Sequence, residues 1–94
     1  MGMEIVVVER LFETPVDPAE LTARAAAGQW CFEVRNVRYL TGYLSGDGRR
    51  MISIFEAPDA ESVRTANRQA DLPFERVWTA TVDQAAKAAE TAEI

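Results

Sequence analysis

Ninety-four residues, 48% of them hydrophobic and 27% charged, make one soluble globular domain the first expectation. A net charge of −5 opposes a nucleic-acid partner, because phosphate binding needs a basic face. The chain has no histidine and one cysteine, which removes the Ser-His-Asp and Cys-His catalytic pairs, an internal disulfide and the usual zinc sites within one chain.

Residues 3–12 are rich in β-branched side chains and predict a first strand. No basic region or small-residue cleavage site accompanies its apolar run, so it does not read as a signal peptide. No run approaches the roughly 20 apolar residues of a membrane span. A cytoplasmic protein without membrane contact is the expectation, and the lone Cys31 suits a reducing compartment.

"VDPAEL" starts a helix, with Asp17 as N-cap, Pro18 at the first helical position and Glu20 two residues on. It runs to about Gly28. Its stripe of Leu21 and Ala25, with Phe32 beyond, is mostly alanine and predicts close packing on a sheet. Trp30 and Phe32 flank Cys31 and predict a buried, inert thiol.

Residues 35–45 predict a second strand, and "SGDGRR" a tight hairpin in which Asp47-Gly48 can supply positive φ. Residues 51–57 form the third strand. Asp59 caps a second helix that ends near Asp71, where Pro73 blocks continuation. Ala60, Val63, Ala66, Asn67 and Ala70 fall at helical spacing, which sets an amide on or beside the buried stripe. Residues 74–82 form the fourth strand. Residues 1–82 are thus one domain, and 83–94 an Ala-rich frayed helix or tail.

The order β-α-β-β-α-β is that of the ferredoxin-like fold, an α+β architecture with two helices on one face of a four-stranded antiparallel sheet. The strands are apolar on both sides, Ile5 and Val7 against Val6 and Val8, so a second copy is expected to cover the bare face. The result would be a homodimer of stacked sheets, a dimeric α+β barrel.

Two groups could carry chemistry. The first and third strands are read as central, parallel neighbours, each ending in a carboxylate, Glu9 and Glu56. Two carboxylates brought together in an apolar setting can act as acid and base or hold a hard cation. The plainer reading pairs each with an arginine at the rim, Arg10, Arg38 or Arg76. Tyr39, Tyr43, Phe55 and Trp78 can wall a pocket for a flat ligand or fill a dimer core. The pairs Arg35/Arg38 and Arg49/Arg50 read as a solvated rim.

"VVVERLF", "NVRYLTGYLSGDGRRM" and "FEAPDAESVRTANRQADLPFERVW" resemble a family of small bacterial proteins typified by an actinobacterial nickel-binding protein. The likeness extends to Val82, and 55–59 and 71–78 are its most specific parts. The Arg-rich, Lys-poor composition suits an actinobacterial source. The resemblance implies a dimeric ferredoxin-like protein and a nickel site. It also implies histidine where this chain has Asn67 and glycine where it has Asp71. Asparagine is a poor nickel ligand, so the expectation is a metal role lost or altered, with no resident cofactor. The Asp71 exchange costs less, because Asp tolerates the left-handed conformation.

The function expected is therefore that of a homodimeric binding protein with a small-molecule pocket. Its candidate ligand-binding residues are Glu9, Tyr39, Tyr43, Glu56, Asn67 and Trp78. A cofactor-free monooxygenase- or cyclase-like enzyme of secondary metabolism is the alternative. It requires Asn67, Trp78, Tyr39, Tyr43 and Glu56 to converge on one cavity.

Overall fold

In the computed structural model, residues 2–83 are described. They run β1 (Glu4–Leu11), α1 (Pro18–Ala27), α2 (Gln29–Glu33), β2 (Arg38–Leu44), β3 (Arg50–Ala57), α3 (Ala60–Gln69) and β4 (Arg76–Ala80). The expected tail lies, from residue 84 onward, outside the described residues. The strands form one sheet in the order β2-β3-β1-β4, with every neighbouring pair antiparallel. This is the ferredoxin-like arrangement.

It corrects the expected parallel pairing of β1 with β3, which is antiparallel. The reason is topological: β3 turns back from β2 through a hairpin and enters between β1 and β2, so it opposes both. Ser45 and Arg50 close that hairpin, and Gly48 takes φ 72 at its tip. A side chain at Gly48 would also meet the Val16 carbonyl, which lies 3.2 Å from an ideal Cβ. The Asp47 carboxylate accepts hydrogen bonds from Ser45 Oγ and the Arg49 N–H, and both hold its pKa below the ordinary value.

Alternation sets the two faces. Val6, Val8, Phe55, Ala57 and Val77 point to the helices and are buried. Ile5, Ile52, Ile54 and Trp78 point to the face without helices, where Ile52 and Trp78 are exposed. In β2 the register shifts: Tyr39 stands opposite Phe55 and Thr41 opposite Ile54, so Leu40 is an extra residue, a β-bulge.

The core fills the α3 half of the helix face. Asp59 caps α3 by accepting from the Ser62 N–H at 2.7 Å, and Val63, Ala66 and Asn67 are buried. The helix stops where Asp71 takes φ 57, in the left-handed region that Asp adopts more readily than most residues. β4 is shorter than expected. The stretch before it is held irregularly: Arg68 lies over the Phe74 ring, and the Glu75 N–H donates to the Glu9 carbonyl.

α1 begins as expected, with Asp17 accepting from the Ala19 N–H at 3.0 Å and Pro18 as its first residue. It does not pack closely on the sheet: none of its residues is buried. Alanine side chains are too short to reach the strands, and the chain after α1 props the helix away. That chain forms α2, a short helix absent from the sequence reading, which buries Cys31 and Phe32 and leaves Trp30 exposed. Gly28 makes the junction. A Cβ there would lie 2.6 Å from the Cβ of Ala70, so only glycine lets the turn reach α3.

Candidate functional site

Because α1 stands off the sheet, a cavity of about 640 Å³ opens between it and strands β1, β3 and β2. Leu21 and Ala25 of α1, Phe32, Val37, Leu44 and Met51 give it apolar walls. Phe32 stacks on Phe55 at 5.6 Å between centroids, and Tyr39 meets Phe55 edge-on at 5.5 Å. The Tyr39 hydroxyl lies across Gly42, in space that a Cβ would take. Such a recess, mostly apolar with a few polar groups, has the character of a small-molecule site.

Arg10 is the unusual wall. It follows Val6 and Val8 on the helix face and is only 5% exposed. Its guanidinium donates to Asn67 Oδ1 at 2.7 Å and to the carbonyls of Pro73 at 3.0 Å and Leu72 at 3.5 Å. Burial lowers its pKa to about 10; the Tyr39 phenol opposes that shift and the like charge of Arg24 adds to it. Burial raises the Tyr39 pKa, and Arg10 works against the rise.

This explains the amide at position 67. Asn67 is fully buried, donates from Nδ2 to the Val63 carbonyl at 2.8 Å, and presents Oδ1 to Arg10. It ties α3 to β1 and fixes the guanidinium. Arginine was read only as a rim partner. The signal available was a charged residue two positions after Val8 on a buried stripe.

The six sequence candidates divide between the faces. Tyr39 lines the cavity and Asn67 supports Arg10 behind it. Glu9, Tyr43, Glu56 and Trp78 lie on the helix-free face. The convergence required by the enzyme alternative is not met. Nor do the two carboxylates meet: Glu9 is opposite Ile52 and Glu56 opposite Ile5, four residues along the strand, or roughly 13 Å. The parallel reading had set them at one end; antiparallel pairing sends them to opposite ends. Glu9 instead accepts from the Trp78 indole N–H at 2.7 Å, and Glu56 pairs with Arg38 at 3.7 Å.

A nickel ion does not fit these residues. The sequence offers no imidazole, and among the described residues no three Cys, Asp or Glu side chains converge. The one oxygen of Asn67 already faces a guanidinium, whose charge repels a divalent cation. No helix among the described residues is long and apolar enough to cross a membrane.

Residues 7–79 match the family described as nickel responsive protein SCO4226-like, the kind of family that the segments at 55–59 and 71–78 suggest. Among solved structures the chain is similar to SCO4226 from Streptomyces coelicolor A3(2), at a TM-score of 0.75 and 13% identity. The match covers 84% of this chain and 98% of that one, and at this identity the likeness is one of fold. No curated protein matches the chain.

Proposed function

For a chain that belongs to the nickel-responsive SCO4226-like family, we propose the role of a small cytoplasmic homodimer that binds an organic small molecule, with the family's metal chemistry lost or altered. The observation that carries this reading is the cavity between α1 and the sheet, large enough for a ligand and lined by apolar groups beside one buried cation. The donor set supports the second half: without histidine, and with the two strand carboxylates at opposite ends, no nickel site assembles from the described residues.

The dimer rests on the helix-free face. Tyr43 is 66% exposed there beside Ile52, and Ile54 and Val7 continue the apolar surface across the sheet to Trp78, with Glu9, Arg38 and Glu56 on the same face. A second copy laid face to face would bury that surface. The cavity lies on the other side of the sheet and stays open in such a dimer.

Native mass spectra with and without nickel test both parts. A dimer that takes up no nickel is expected, and an Asn67→His variant tests whether one imidazole restores a site. Stoichiometric nickel uptake by the unaltered chain would overturn the loss of metal function. A monomer at micromolar concentration would overturn the dimer.

A further inference from the structure

We propose that the cavity selects an apolar carboxylate, whose head group is met by Arg10 and whose body lies between α1 and the sheet. The inference rests on the ligand-binding reading above and names the ligand class.

A buried guanidinium normally has an anionic partner, because removing its charge from water is strongly unfavourable. Arg10 has none among the described residues. Ion pairs form elsewhere, Arg38–Glu56, Arg64–Glu61 and Arg68–Glu61, and none of them includes Arg10. Its three acceptors are two carbonyls and an amide, all neutral. A guanidinium carries five N–H donors, so these contacts leave donors over. Arg24 adds a second positive charge nearby and donates to the Asp71 carbonyl.

The surroundings specify the rest of the ligand. Asn67 holds the guanidinium in place before any ligand arrives, so little ordering remains at binding. Arginine's planar fork matches a carboxylate in two-point contact. Beside it, the Tyr39 hydroxyl can donate a further hydrogen bond. The remaining walls are mainly aliphatic and aromatic. Glu33, held by Gln29 at 2.8 Å, also lines the cavity and disfavours a second negative charge. A monoanion on an apolar body satisfies all of these; a dianionic phosphate monoester does not.

The test uses a neutral fluorescent reporter of apolar pockets, N-phenyl-1-naphthylamine, displaced at neutral pH by decanoate or by decanol. The expected result is reporter binding that an Ala25→Trp variant abolishes, and displacement by decanoate about tenfold or more tighter than by decanol. In an Arg10→Gln variant the preference disappears while the reporter still binds. Because that variant removes a buried tie, the unaltered protein is also followed by nitrogen NMR of the Arg10 side chain, whose Nε resonance moves with decanoate and not with decanol. Equal displacement by acid and alcohol, with an unmoved Arg10 signal, overturns the carboxylate and leaves the cavity reading intact. Failure of the reporter, decanoate and decanol alike to bind overturns both.

Discussion

The two long helices cover one face of the same sheet, yet they use it differently. α3 lies against β1, β3 and β4 and buries Val63, Ala66 and Asn67. α1 is equally long and equally well capped, and buries nothing. The difference is side-chain reach. Val63 and Asn67 span the distance to the strands, whereas "AELTARAAA" offers methyl groups along most of its inner side. One half of the face is a filled core that confers stability. The other is a recess whose stability was given up for space.

The contrast is broken most directly at Asn67. Asn67→Ala removes the acceptor of a buried charged donor and leaves a hole, and should cost about 3 kcal/mol by urea unfolding. A loss under about 1 kcal/mol would mean that Arg10 finds another partner and the seated half is less committed than it looks. Next in size, Val63→Ala should cost about 2 kcal/mol, while Leu21→Ala on α1 should cost less than about 1 kcal/mol. Equal losses would show α1 to be as firmly seated as α3.

Filling the recess sharpens the same comparison. Ala25→Leu adds apolar surface where space exists, and should raise stability by about 1 kcal/mol while abolishing reporter binding. Unchanged binding would place the ligand elsewhere. The smallest effect concerns the α3 cap. The Asp59 carboxylate is held below its usual 3.8 by the N–H and hydroxyl of Ser62. Its folded pKa is depressed, so the stability it contributes is present above about pH 3.8 and is lost as pH falls through the lower folded value. In an Asp59→Asn variant, acid titration followed by circular dichroism should lack that component.

Much of this fold was legible in the chain. Asp17, Pro18, Asp59 and Pro73 mark the helix ends by local chemistry, and alternation in β1 separates the two faces residue by residue. The direction of β3 relative to β1 is a property of connectivity rather than composition, and reading it as parallel brought Glu9 and Glu56 together wrongly. α2 was missed because Gly28 looks like an ending, while its use is a close approach to Ala70, about forty positions away in neither motif nor period. The cavity was hidden for a related reason. An alanine stripe is compatible with close packing, and only the later placement of Phe32 and Tyr39 shows that the space stays empty. Asn67 was marked as important by its spacing, but its partner lies 57 positions back, on β1.

The bulge at Leu40 has a further consequence, best put in the language of coding. Counting by twos, Tyr39 and Tyr43 belong to the same side of β2; the extra residue sends Tyr39 to the cavity and Tyr43 to the opposite face. β2 therefore carries one spare symbol. Losing the Leu40 codon in frame would leave Arg38 opposite Glu56 and Tyr39 opposite Phe55, with the strand merely straightened. The same loss in β1 or β3 has no spare to absorb it, and would turn every side chain beyond the cut to the wrong side of the sheet.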